Sequence, residues 1–251
     1  MKGFFSLLGV VYIVTTSFYL SPNKSDTKKD IVLTKKAEKL IVDNSGDNTK
    51  VSTSEDLYKS FAFENDHQLN FEAFSKALTG FENLKKAGLL NQDAHLLTIC
   101  DFSMSSNTKR LWVLDLNEKK VLFNSLVAHG KNTGEEYAQN FSNTESSYQS
   151  SLGFYITDVT YSGDNGYSLK LLGMDKGYND AALQRAVVMH GADYVSEEFA
   201  AIHKRIGRSW GCPAIPRNLT EPIINTIKGR NCLFIYYPDQ NYLSTSEWLK
   251  S

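Results

Sequence analysis

Gly207-Arg208-Ser209-Trp210-Gly211-Cys212-Pro213-Ala214 is the stretch on which the reading of this chain turns. A cysteine between Gly211 and Pro213 lies in a turn, with accessible backbone and little apolar cover. Nucleophilic attack needs the thiolate, whose fraction rises beside a histidine, a guanidinium or converging N–H groups. Arg208 stands four residues before the cysteine, and Gly211 lets backbone N–H groups face an oxyanion with no side chain in the way. The other two cysteines, Cys100 and Cys232, sit in the apolar runs Leu96-Leu97-Thr98-Ile99-Cys100 and Cys232-Leu233-Phe234-Ile235, the usual setting of buried, inert thiols. Three cysteines leave at least one unpaired, and no two are spaced as a zinc knuckle.

A thiol nucleophile requires a base. His190 ends the apolar run Ala186-Val187-Val188-Met189 and precedes Gly191, so its imidazole is expected at a strand end beside a turn, facing a cleft. His129, also at the end of an apolar run and followed by Gly130, ranks second. His67, His95 and His203 read as solvated surface, as do the loop acids Glu135, Glu136, Asp175 and Asp180. Asp193, Glu197 and Glu198 could orient His190, although acids at a helix start more often cap it. A cysteine and a histidine in one chain are most often a coincidence of packing. Two strand-end His-Gly pairs and a Gly-Cys turn shift that balance toward a catalytic pair.

The rest of the chain supplies a frame. With 41% hydrophobic residues in 251, one catalytic domain plus accessory segments is expected. Lys+Arg 27 against Asp+Glu 28 leaves no excess of positive charge to draw a nucleic acid. Residues 1–20 read as a secretory signal, Lys2 followed by an apolar run; an uncleaved membrane anchor is the alternative. Residues 21–55 are rich in Lys, Asp, Ser, Thr and Asn and read as a flexible linker. Residues 56–90 read as a helical extension, with Leu69, Ala73, Phe74, Ala77, Leu78 and Phe81 at helical spacing and Gly88 as the stop. From residue 91 to about 240 the texture is β. Strands are expected over 95–102, 110–116, 121–129, 152–161, 168–172, 185–190 and 232–237, and helices over 196–206 and 219–228.

The ordered pair His190-Gly191 and Ser209-Trp210-Gly211-Cys212 resembles the signature of the L,D-transpeptidase catalytic domain, the YkuD type. His129-Gly130 and Ser150-Ser151-Leu152-Gly153-Phe154-Tyr155 occupy its upstream positions. The stretch from about Phe71 to Tyr237 is similar to the murein L,D-transpeptidase branch, through Val127-Ala128-His129-Gly130, Gly177-Tyr178-Asn179-Asp180 and the block around Cys212. The resemblance implies a mainly β sandwich or barrel with inserted helices, working in the cell envelope on peptidoglycan stem peptides. It implies Cys212 as nucleophile and His190 as base, Ser209 positioning the turn or the substrate, and N–H groups around Gly211 and Cys212 stabilising the oxyanion. His129, Gly191, Arg208 and Trp210 are then the expected substrate-binding residues, with no metal and no cofactor. Pro213-Ala214 departs from the aliphatic-Arg pair that many members carry after the cysteine; Arg208 and Arg217 are the nearest stand-ins.

The same site could serve an L,D-carboxypeptidase or other hydrolase, since sequence does not choose between amine and water as acceptor. A non-catalytic wall-binding module would leave the thiol incidental. A papain-like hydrolase is disfavoured because there the cysteine starts a helix and precedes the histidine.

Overall fold

The structure, a computed structural model, describes residues 53–63 and 68–250. The expected signal or anchor (1–20), nearly all of the expected linker (21–55) and His67 lie outside the described residues. No helix among the described residues is long and apolar enough to cross a membrane.

The described residues are mainly β. Eight strands form one mixed sheet: β1 (Leu96–Asp101), β2 (Leu111–Asp115), β3 (Lys120–Ser125), β4 (Gly153–Gly163), β5 (Gly166–Gly173), β6 (Val188–Ala192), β7 (Ala214–Pro216) and β8 (Cys232–Tyr236). Their spatial order is β3-β2-β1-β8-β4-β5-β6-β7. Beyond β3 the chain turns back to the far edge, where Ala128 bridges Ala214 of β7. This contact brings the two edges of the sheet together into a nearly closed barrel, and a closed sheet leaves no long unpaired edge.

Helices cover the sheet, one of them through a second helix. α1 (Ser54–Ser60) is short and starts at a capping box between Thr53 and Asp56. α2 (Phe71–Lys86) buries Ala73, Phe74, Ala77, Leu78, Gly80, Phe81 and Leu84 on one face, against β1 and β8. It stops at Gly88, whose φ of 71° suits a residue without a Cβ. The Gly88 N–H donates to the Lys85 carbonyl and the Leu89 N–H to the Leu84 carbonyl, satisfying carbonyls that the last turn would leave bare. Gly80 lets the helix seat directly on the Phe154 ring, which stacks at 4.1 Å on Phe234. α4 (Arg217–Ile227) packs on β5, β6 and β7; Gly191 permits this, since a Cβ there would fall 2.1 Å from Thr220 Oγ1.

Three features depart from the sequence reading. β7 was not anticipated: it is three residues directly after Pro213, Ala214–Pro216, defined by pairing with β6 rather than by its own composition. The chain continues past 240 into α5 (Gln240–Thr245) and a 3-10 turn, Glu247–Leu249. Asp175 is not a surface charge. It is 2% exposed, accepts from the Phe154 N–H at 2.7 Å, and holds Tyr242 and Ser246 of the C-terminal segment, so its loop is folded inward under α5. Burial raises its carboxyl above the ordinary value despite these donors.

Candidate active site

β6 and β7 set Cys212 and His190 on neighbouring stretches of chain. They run parallel, with His190 opposite Ala214 and Gly191 opposite Ile215. Continuing that register by two residues lays Cys212 against Val188, and the Val188 N–H points at Cys212 Sγ from 3.5 Å. Parallel strands need a crossover connection, and here it is the segment through α3 (Glu197–His203), capped by Ser196. Alternation along β6 sends Met189 into the main core and Val188, His190 and Ala192 to the opposite face. On that face Ala192 and Ala214 join a small separate apolar cluster with Leu126, Ala128, Val195 and Ile206. The histidine thus emerges outside the main core, beside a small apolar floor.

His190 is 4% exposed. Its Nδ1 lies 3.1 Å from the Gly191 carbonyl, which can only accept, so Nδ1 carries the proton and Nε2 keeps its lone pair. Burial, helped by the Arg217 guanidinium, lowers its pKa below the ordinary 6.5, so the ring is neutral at neutral pH. Asp193, a sequence candidate to orient this ring, pairs with Arg217 instead, and the orienting group is a backbone carbonyl.

Cys212 is the half-buried thiol of the three, Cys100 and Cys232 being wholly enclosed. Its sulfur also touches the Ala186 carbonyl at 3.7 Å. Burial raises its pKa, opposed by the Val188 N–H and by Arg185. Cys212 and His190 are therefore a neutral thiol and a neutral imidazole at rest. For Cys100 burial pushes the thiol up to about 12, which removes it as a nucleophile.

The turn that carries Cys212 is strapped from three sides. Ser209 Oγ donates to the Cys212 carbonyl at 2.6 Å and accepts from the Gly211 N–H at 3.0 Å. Gly211 takes φ 126°, and a Cβ on it would lie 2.7 Å from the Gln149 carbonyl. Gly130 approaches as closely, its Cβ position being 2.4 Å from the Tyr148 carbonyl. Between these backbones the buried Ser150 hydroxyl accepts from the Gly130 N–H at 3.0 Å and donates to the Gly211 carbonyl at 3.1 Å. The Gly211 N–H is thus committed to Ser209, not to an oxyanion.

The remaining sequence candidates lie around this turn. His129 is 1% exposed; Arg110 donates to its Nδ1 at 2.8 Å and its Nε2 donates to the Gly134 carbonyl at 3.2 Å. Burial and the Arg110 charge depress its pKa to about 3, so it is a permanently neutral strut, and its own carbonyl accepts from the Ser209 N–H. Arg208 is tied to Glu135 at 2.7 Å and to the Lys131 and Gly134 carbonyls. Trp210 is 74% exposed beside the turn, its ring 5.6 Å from that of Tyr148, over which Lys131 sits at 4.4 Å. Gly191 is buried at the helix contact described above. Among the described residues no three His, Cys, Asp or Glu side chains cluster as a metal site.

Two residues near the sulfur were missed by the sequence reading. Arg185 lies in the run before His190 and reads there as the first residue of a strand. Tyr194 lies against Gly207 at the start of the cysteine turn, where a Cβ would come within 2.4 Å of it, and the nearby Cys212 and Arg217 both act on its phenol.

A family model for the L,D-transpeptidase catalytic domain matches residues 65–236, and the chain belongs to that family. Among solved structures, an L,D-transpeptidase from Mycobacterium smegmatis is 11% identical with a TM-score of 0.36, covering 57% of this chain and 59% of its own. The helical cell shape determining protein Pgp2 (K307A mutant) from Campylobacter jejuni is 14% identical at a TM-score of 0.38, covering 64% and 57%. An L,D-transpeptidase from Mycobacterium tuberculosis H37Rv is 13% identical at 0.33, covering 57% and 58%. The chain spans less than two thirds of the length of these structures. No curated protein matches it.

Proposed function

We propose that this protein is an envelope L,D-transpeptidase that acylates Cys212 on a peptidoglycan stem peptide and passes the acyl group to an amine. The observation that carries the reading is the pairing of β6 with β7, which sets the half-buried Cys212 thiol one strand away from the neutral His190 imidazole. His190 Nε2 takes the thiol proton as Sγ attacks the carbonyl between the L-centre and the D-residue. The tetrahedral oxyanion falls to the Cys212 N–H, for which no described residue supplies an acceptor. Collapse expels the terminal D-amino acid, which leaves with the proton held by His190, and a thioester remains. The imidazole then deprotonates the incoming amine, whose attack forms the cross-link and frees the thiol. Water in place of the amine gives an L,D-carboxypeptidase.

Ser209 and Gly211 hold the nucleophile turn in this scheme, while Trp210 offers an exposed aromatic face beside it for the substrate. The test is to incubate purified protein with a tetrapeptide-stem muropeptide, with and without an amine acceptor, and weigh the products. Cross-linked product in wild type and none with Cys212→Ala is expected. Release of the terminal D-residue without cross-linking would replace transfer by hydrolysis; undiminished activity in Cys212→Ala would end the mechanism; no product at all would favour a wall-binding module. A carbapenem adduct on Cys212 checks the nucleophile independently.

A further inference from the structure

Around the cysteine turn two guanidiniums lack an ion pair among the described residues: Arg110, wholly buried on His129 and the Val127 and Met104 carbonyls, and Arg185. Arg205 and Arg208 share Glu135, and Arg217 is paired with Asp193. Arg185 is half-buried, and among the described residues no carboxylate pairs with it. Its partners are all neutral: Nη1 donates to the Ser142 carbonyl at 2.8 Å and to Ser151 Oγ, and Nη2 donates to Ser147 Oγ at 3.2 Å and to the Gln149 carbonyl at 2.8 Å. A partly desolvated cation kept on neutral acceptors is costly unless an anion forms nearby.

The neighbouring group that can become an anion is the thiol. Nη2 lies 3.5 Å from where a Cβ of Gly211 would stand, on the residue that precedes Cys212. The chain leaving Arg185 passes at once through Ala186, whose φ of 53° is strained for a residue with a side chain, and then Val188. The Ala186 carbonyl and the Val188 N–H are the two backbone groups in contact with Cys212 Sγ. The four bonds of the fork also fix residues 142–151, and this segment supplies both the Gln149 carbonyl against Gly211 and the Ser150 hydroxyl that bonds to it.

We propose that Arg185 is the positioning residue of the nucleophile: its fork pins residues 142–151 behind the cysteine turn, and its unpaired charge stabilises the Cys212 thiolate as the proton leaves. The proposal rests on Cys212 being the nucleophile. The electrostatics agree, since Arg185 lowers the thiol against the burial that raises it. The other titratable groups around the sulfur are His190, neutral at neutral pH, and Tyr194, whose phenol is pushed up to about 12 and so adds no charge.

The test is the pH profile of Cys212 alkylation by iodoacetamide on the full chain, with the modified peptide identified by mass so that the enclosed Cys100 and Cys232 serve as internal blanks. In Arg185→Gln the midpoint is expected to rise by about one pH unit, lowering the alkylation rate at mildly alkaline pH roughly ten-fold. Arg185→Lys keeps the charge but not the fork; it should hold the midpoint near wild type while turnover of the muropeptide falls at least about ten-fold. An Arg185→Gln profile that superimposes on wild type, with turnover unchanged, overturns the proposal. Should Arg185→Gln fail to fold, Arg185→Lys decides, and wild-type turnover in that variant overturns it. Wild-type protein without turnover, but with the midpoint shifted in Arg185→Gln, would sink the transpeptidase reading and leave this one standing.

Discussion

Ser150→Ala removes one oxygen atom and should cost the domain measurable stability. The hydroxyl is wholly buried between two buried backbone groups, accepting from the Gly130 N–H and donating to the Gly211 carbonyl. Alanine leaves both without a partner, in a place where three backbones already approach too closely for a Cβ. A buried polar group left unpaired costs about 1–3 kcal/mol, so the two together are expected to cost roughly 2–6 kcal/mol. In a domain of this size that lowers Tm by about 4–24 °C. The assay is equilibrium urea unfolding, with Ser244→Ala as the control. Ser244 Oγ donates to the Gln240 carbonyl on an exposed helix, and its loss should stay within about 0.5 kcal/mol. If Ser150→Ala lost no more stability than Ser244→Ala, the hydroxyl would not be bridging the two segments and the account of the strapped turn would be wrong.

Three further outcomes follow from the same geometry. His190 has a lowered pKa, so the base is lost only when acid protonates it; the acid limb of kcat/KM should lie below pH 6.5, and a limb above that value would contradict the buried, neutral imidazole. His129 is depressed to about 3, so between about pH 6.5 and about pH 3 the unfolded chain binds a proton the folded one refuses, and stability falls on acidification by up to about 1.4 kcal/mol per pH unit. His129→Gln should flatten that part of the urea-stability profile against pH, and an unchanged slope would show that His129 does not titrate as described. Gly80→Ala would place a Cβ 2.0 Å from Phe154 Cζ, so α2 must lift from the sheet at a cost of about 1–3 kcal/mol, read as a drop in Tm; an unchanged Tm would show the contact to be loose.

The strands could be anticipated because β1, β2 and β8 are mostly apolar runs of aliphatic and aromatic residues, as strands buried on both faces tend to be. α2 was legible for the complementary reason, a helical stripe ended by Gly88. β7 was not, because three residues that follow one proline and end on another carry no periodicity and become a strand only when β6 lies alongside. The same gap between local pattern and tertiary consequence explains the site. His190 and Cys212 stand out as residue types in distinctive turns, whereas Arg185 looks like a polar residue opening an apolar run, and nothing local says that its fork spans residues 142–151. Asp175 was misplaced because its partners, Tyr242 and Ser246, lie far along the chain in a segment that sequence did not resolve into helices.

The crossover between β6 and β7 has a consequence for how this enzyme family could vary. α3 has no fully buried residue, ends on Lys204 in a left-handed conformation, and leaves Ile202 74% exposed. Cys212 and His190 are held by strand pairing and by the Ser209 and Ser150 straps, all of which lie outside that helix. The tip of the connection is therefore a natural splice point. Extra chain grafted near Ile202 and His203 would lengthen the crossover and leave untouched the pairing that lays Cys212 against Val188.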